Sequence, residues 1–418
     1  MASTGPLAGV TRRPGSNRPA RWAAIGALVL ALAVVAIARR VSTETTPPLV
    51  FHRALAAYVR VPGRAPTLAW PREGQAAAEV EGVGGLGGSG GSTPVPIASV
   101  AKVMTAYLTL LEHPLAAGEQ GFVMTISSAQ VEEQGDRAAL GESTVPVTVG
   151  ERLTERQALQ ALLLPSANNI AAALADYDAG GLRAFLARMN SAALELGMTA
   201  TTYTDPSGFA QSTVSTAADQ LKLARAAMQL PAFATIVAEP SVVLPVAGRV
   251  SNLDALIGAE GYVGIKTGSD SAAGGCLMFA KRVTIDGRRL TVLGVVLDQR
   301  EGALVQAALV SAQRLGNSVA AALHVATVLP AGTTVLSAAN ASGATAQAVT
   351  AAPLREVGWG GVELRMVVIG RGPVTRLGAG QDVARVAVLT GTSAVSTAAV
   401  ATGALGGPSL GWRLRHLL

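Results

Sequence analysis

Apolar positions recur at two spacings along this chain, and the change between them divides it. Residues 22–38 form an uninterrupted apolar run without charge. Over 99–111, 153–164, 182–196 and 217–230 apolar side chains fall three and four apart, the spacing of one helix face. Thr216 is an expected N-cap for the last of these, with Asp219 three residues on as a shortened capping box. From about residue 261 the period becomes two. Strands are expected at 262–267, 276–283 and 290–297, with Asp286-Gly287 as the turn between the second and third. A helix over 303–315 follows. Nearer the N-terminus, 67–70 and 76–83 read as short strands joined by a turn at Arg72-Glu73-Gly74-Gln75, and 82–92 reads as a glycine- and serine-rich loop. Beyond about 321, short Val, Thr and Ala strands alternate with glycine-rich turns. The expected class is α+β: an antiparallel sheet covered by helices, with a small C-terminal all-β domain.

Composition narrows what such a fold is for. The 418 residues have a mean hydropathy of +0.39, but only one apolar run has membrane length, which excludes a multi-span transporter. The net charge of +6 comes entirely from Arg12, Arg13, Arg18, Arg21, Arg39 and Arg40. A basic excess confined to the flanks of an apolar run describes membrane topology, so no nucleic-acid partner is expected. The run reads as a signal peptide or a membrane anchor, with a small-x-small cleavage pattern at Ala36-Ile37-Ala38 and Arg39-Arg40 favouring the anchor. In either case the rest of the chain is exported, and the N-terminus is cytoplasmic if the anchor is uncleaved. Cys276 is the one cysteine, so no intramolecular disulfide is possible. The four histidines are far apart, so neither a metal nor another cofactor is called for.

Two pattern matches fail on physical grounds. Gly82-Val83-Gly84-Gly85-Leu86-Gly87 fits G-x-G-x-x-G, yet more Gly and Ser follow where a phosphate-binding helix must begin. Gly87-Gly88-Ser89-Gly90-Gly91 fits G-x-S-x-G, but Ser89 has no strand-to-helix elbow to present it.

A third pattern carries chemistry. In Ser99-Val100-Ala101-Lys102 the serine and lysine share one helix face. A serine hydroxyl needs an adjacent base, and a lysine whose pKa is lowered by burial and nearby cations can be that base. The helix start adds a free backbone N–H at Ser99, half of an oxyanion hole. Of 33 basic residues only Lys102, Lys222, Lys266 and Lys281 are lysine. Arginine cannot act as a base, so a lysine kept three residues from a serine stands out. Ser166-Ala167-Asn168 offers a hydroxyl to relay a proton and an amide to bind a substrate carbonyl. Lys266-Thr267-Gly268 ends a strand: lysine and threonine suit a carboxylate, glycine permits close approach, and Ser269 is a candidate for the second oxyanion N–H.

The order S-x-x-K, S-x-N, K-T-G resembles the penicillin-recognising serine enzymes, and specifically the serine-type D-alanyl-D-alanine carboxypeptidases. The narrower likeness lies in Ile97 to Thr105, Leu164-Pro165-Ser166-Ala167-Asn168-Asn169, Met189-Asn190, Leu196-Gly197-Met198, Asp205-Pro206-Ser207-Gly208, Gly264 to Gly268 and Ala273 to Cys276. Asn169 departs from the Asp of many relatives. The resemblance covers roughly 50–315 and implies a β-lactamase/penicillin-binding transpeptidase-like fold. It also implies acyl transfer: Ser99 as nucleophile, Lys102 as base, Ser166 as relay, and Asn168, Lys266, Thr267 and Gly268 around the substrate. The implied partner is a peptidoglycan stem peptide ending in D-Ala-D-Ala, with β-lactams as inhibitors and the membrane as support.

The expected division is a basic tail at 1–21, the signal or anchor at 22–38, a spacer at 39–49, a catalytic domain at 50–320 and a β domain at 321–418. No motif lies beyond Gly268, so the β domain is expected to be dispensable for chemistry. Two alternatives stand beside the carboxypeptidase. A β-lactamase, or another serine acyl hydrolase of the same fold, would need a carboxylate to activate the deacylating water, and no Glu-x-x-Leu-Asn lies between Ser166 and Lys266. A non-catalytic penicillin-binding wall sensor would not need the intact motif set.

Overall fold

The computed structural model describes residues 18–43, 46–391 and 393–416. Arg12, Arg13 and the rest of 1–17 lie outside them. The apolar run forms a helix, Arg18–Thr43, whose window Ile25–Ser42 is long and apolar enough to cross a membrane and is nowhere buried in the protein.

A five-stranded antiparallel sheet organises the centre, in the order Tyr262–Asp270, Gly274–Ile285, Arg288–Gln299, Gln75–Val80, Gly84–Ser89. Alternation along each strand sends side chains to opposite faces. Leu293, Val295 and Leu297 join one core with the helices Lys102–Glu112, Glu155–Leu163, Asn168–Ala179 and Ala217–Met228. Val292 and Val296 join a second core with Leu309, Ala312 and Leu315 of the helix Leu304–Ala322. The sheet is therefore buried on both faces, which is why its strands read as nearly continuous apolar runs.

Local signals behave as expected at several points. Thr216 caps its helix by accepting from the Asp219 amide at 3.1 Å. Asp286 and Gly287 both have positive φ, at 50° and 75°, as a tight hairpin between right-twisted strands requires.

Other expectations are corrected. The 67–70 segment forms no strand, because its expected partner 76–83 is satisfied elsewhere: Gln75–Val80 pairs with Arg288–Gln299 on one side and Gly84–Ser89 on the other. The glycine-rich tract is thus partly an edge strand, and Ser89 lies at its end opposite Ala76. Pairing overrides glycine's weak strand preference, and at one position glycine is required: a Cβ on Gly88 would sit 2.5 Å from the Ala76 carbonyl oxygen. The expected helix at 99–111 begins as a 3-10 turn, Ala98–Ala101, and becomes α-helical at Lys102.

Beyond Ala322 the chain is strand-rich, as the period indicated. A seven-stranded sheet runs in the order Val50–Arg53, Thr334–Ala339, Thr345–Thr350, Ser393–Ala401, Asp382–Thr390, Glu363–Gly370, Tyr58–Arg60. Its two outer strands come from the N-terminal side and are separated by only four residues, 54–57. That linker bonds to both edges, through Ala54 N to Val335 O at 3.0 Å and Met366 N to Ala57 O at 2.7 Å. A short linker cannot reach across an open sheet, so the sheet curls back on itself. Beside it, Leu354–Gly358 pairs with His324–Leu329 in a separate two-stranded sheet and meets the central sheet through an ion pair between Arg288 and the fully buried Glu356.

Candidate active site

The first motif lies where the 3-10 turn meets the helix. Ala98 has φ +44°, a conformation that costs energy for a residue with a Cβ and that concentrates at functional sites. Ser99 is half-buried and Lys102 fully buried. Lys102 Nζ donates to Ser99 Oγ at 2.8 Å and to the Ser207 carbonyl at 2.9 Å.

Ser207 belongs to a loop built on Asp205. One Asp205 oxygen accepts from Ser207 N, Ser207 Oγ and Phe209 N at 3.1, 2.6 and 3.0 Å, and the other accepts from Thr213 Oγ1 at 2.6 Å. Thr105 Oγ1 donates to the Pro206 carbonyl at 2.6 Å. Gly208 next to it has φ +81°, and a Cβ there would lie 1.8 Å from the Ala98 carbonyl oxygen. This loop is part of the family likeness in sequence, but its contact with the lysine is visible only in three dimensions.

The third motif lies on Tyr262–Asp270, an edge strand of the sheet. A Cβ on Gly268 would sit 2.8 Å from Ser99 N and 3.0 Å from Val100 N, so the strand edge runs directly against the turn carrying Ser99. Lys266 and Thr267 are both buried, although alternation points them to opposite faces, and Ser269 is exposed. Lys266 Nζ donates to the Thr267 carbonyl at 3.0 Å. Burial pushes Lys266 down to about 7, with Asp254 opposing the shift. Lys102 is held well below the ordinary lysine value, first by burial and then by the positive charge of Lys266; Asp205 and Glu142 act the other way.

The second motif contributes differently. Ser166 has φ +69° and is buried, with no hydrogen-bond partner for its Oγ among the described residues; it is bonded neither to Ser99 nor to Lys102. Asn168 donates its Nδ2 to Glu142 at 2.6 Å, and its Oδ1 is buried without a partner. Asn169 pairs with Val145 in both directions, accepting from its N–H at 3.2 Å and donating to its carbonyl at 3.0 Å. An aspartate could accept but not donate there, which gives the departure at 169 a structural reason.

Sequence reasoning missed Glu142, Arg137 and Asp254. None lies within a motif, and a lone acid or base far along the chain carries no signal of its own.

Comparison with known proteins adds independent findings. The sequence profile of a family described as D-alanyl-D-alanine carboxypeptidase matches residues 89–301, about half of the chain. A D-alanyl-D-alanine carboxypeptidase of Mycobacterium tuberculosis is 36% identical over 204 residues, covering 47% of this chain and 65% of that protein. The chain thus spans slightly less than two thirds of that relative. A D-alanyl-D-alanine carboxypeptidase of Streptomyces sp. strain K15 is 32% identical over 216 residues, covering 48% of this chain and 71% of that protein. The crystal structure of the Streptomyces K15 DD-transpeptidase superposes with a TM-score of 0.52 at 28% identity, over 61% of this chain and 98% of that one.

Proposed function

The chain belongs to the D-alanyl-D-alanine carboxypeptidase family, and on that premise we propose that it is a serine D,D-carboxypeptidase acting on peptidoglycan stem peptides. The observation that carries the reading is the 2.8 Å hydrogen bond between Lys102 Nζ and Ser99 Oγ, made by a lysine that burial and a second lysine hold towards its neutral form.

In this mechanism neutral Lys102 takes the Ser99 proton as Oγ attacks the carbonyl carbon of the penultimate D-Ala. The oxygen that becomes negative is met by the backbone N–H groups of Ser99 and Ser269. Lys266, Thr267 and Asn168 hold the peptide, and the close approach at Gly268 keeps the strand edge in reach of Ser99. The proton passes through Ser166 to the leaving nitrogen, D-Ala departs, and the ester on Ser99 remains. Water then adds to the ester carbonyl, gives its proton back through the same groups, and frees Ser99. A β-lactam enters by the same attack, its amide bond opening to leave an ester on Ser99.

Residues between 50 and 320 carry this chemistry. The strands of 321–418, whose sheet also takes in Val50–Arg53 and Tyr58–Arg60, support them. The helix Arg18–Thr43 is read as the signal or anchor, with the remainder on the extracytoplasmic side.

The test is labelling with a fluorescent penicillin together with release of D-alanine from a peptide ending in D-Ala-D-Ala. Both are expected for the natural chain and neither for Ser99→Ala at unchanged circular dichroism. Labelling that survives Ser99→Ala, or nitrocefin turnover without D-alanine release, would overturn the reading.

A further inference from the structure

The 142–145 strap lies outside all three motifs, yet it is fastened to the residues after Ser166 at four points. Ser143 O accepts from Asn168 N at 2.7 Å. Val145 is paired twice with the Asn169 side chain, and Glu142 Oε2 accepts from Asn168 Nδ2 at 2.6 Å. The Glu142 side chain is only 4% exposed, and Arg137 Nη1 lies 2.9 Å from the same oxygen. Arg137 is itself braced by Glu133 at 2.6 Å.

This arrangement decides which end of the Asn168 amide is free. A carboxylate only accepts hydrogen bonds, so the reverse orientation would set the amide oxygen against Glu142 with no proton between them. Nδ2 is therefore held on the strap, and Oδ1 is left as a buried acceptor without a partner. That oxygen can accept a hydrogen bond from a ligand N–H.

We propose that Glu142, clamped by Arg137, is a positioning residue for acyl transfer: it fixes the Asn168 amide with its oxygen left as the open acceptor and sets a negative charge near Lys102. The inference rests on the acyl-transfer reading above. The charges acting on Lys102 come from every side of the site. Lys266 on the edge strand and Arg137 favour loss of its proton, while Asp205 on its loop and Glu142 on the strap oppose it; Asp254 acts on Lys266. Removing the Glu142 charge takes away one opposing group and leaves Arg137 less compensated. Lys102 then becomes neutral at lower pH, and the acid limb of acylation moves down.

Second-order acylation by a fluorescent penicillin, followed across pH, tests this in the full chain and in Glu142→Gln, Glu142→Ala, Asn168→Ala and the double alanine variant, with thermal melts as the check on folding. Glu142→Ala is expected to lose about 10- to 100-fold, the scale of a hydrogen bond to a charged group. It should lose little more when Asn168 is already alanine. Glu142→Gln keeps an acceptor for Nδ2 without the charge, so it should recover most of the alanine loss while its acid limb lies at lower pH. A Glu142→Gln profile superimposed on the natural one, or losses that multiply in the double variant, would overturn the proposal. Ser99→Ala in the same series separates the two failures: if it still labels, the acyl-transfer reading has failed, and if it is silent while the Glu142 variants match the natural chain, only this inference has.

Discussion

Gly268 and Ser99 are in backbone contact: the space where a side chain at 268 would begin lies 2.8 Å from the Ser99 nitrogen. The strand carrying the lysine and threonine thus meets the turn carrying the serine with no side chain between them, and one methyl group is enough to part them. Gly268→Ala is expected to cost about 1–3 kcal/mol of stability through overpacking. Displacing the strand edge from Ser99 should cost more in rate, on the order of 10²-fold in acylation. Thermal melts and penicillin labelling read the two effects separately; an alanine variant that acylates at the natural rate would show that this contact does not set the site.

The two motif lysines are expected to respond differently to arginine. A guanidinium with a pKa above about 12 cannot take a proton from Ser99, so Lys102→Arg should lose on the order of 10³-fold in acylation. Lys266→Arg keeps a positive charge for a carboxylate and should retain measurable acylation with weaker apparent binding, while Lys266→Ala does worse. Second-order rates at matched circular dichroism are the measurement. An active Lys102→Arg beside a dead Lys266→Arg would reverse the two roles.

The pH dependence follows from Lys266 at about 7. Its pKa is lowered in the folded protein, so the cation that attracts a carboxylate is present below that pH and lost above it. Capture of a carboxylate-bearing ligand should therefore weaken as pH rises beyond about 7, approaching tenfold per unit. Benzylpenicillin and its methyl ester, compared from about pH 6 to 9, provide the check. The acid should fall away relative to the ester, and in Lys266→Arg the ratio should stay flat because arginine keeps its charge. Parallel profiles in the natural chain would remove Lys266 from carboxylate binding.

Deleting 321–418 should fail for a reason unrelated to chemistry. The strands Val50–Arg53 and Tyr58–Arg60 find their partners only within that region, and Leu49 and Val61 are buried in the core it shares. Without the apolar N-terminal helix, a chain of residues 46–320 is expected to aggregate, whereas one of residues 62–320 should remain soluble and label with penicillin. Size-exclusion chromatography with labelling of the soluble fraction tests both forms. A soluble but unlabelled core would make the C-terminal sheet part of the active unit.

By itself the sequence determined the elements whose signals are local and the residues whose chemistry is rare. Helix period, the cap at Thr216 and the Asp286-Gly287 turn depend on neighbours a few positions away, and the structure has them where the pattern indicated. Lys102 and Lys266 stood out because lysine is scarce in this chain and because each belongs to a short motif. Tertiary structure decided the long-range pairings. Gln75–Val80 chose Arg288–Gln299 over the nearby 67–70 because a central position in the sheet buries it on both faces, a gain no local turn can match. The glycine tract became an edge strand because Gln75–Val80 offers it a free edge to pair with, and at Gly88 that neighbour leaves no room for a side chain. Two strands near residue 50 closed a sheet made almost 300 residues later, a register that no spacing in the chain encodes. The same holds at the site. Glu142, Asp205 and Asp254 act through charge and hydrogen bonds across space, so each depends on the fold already being formed.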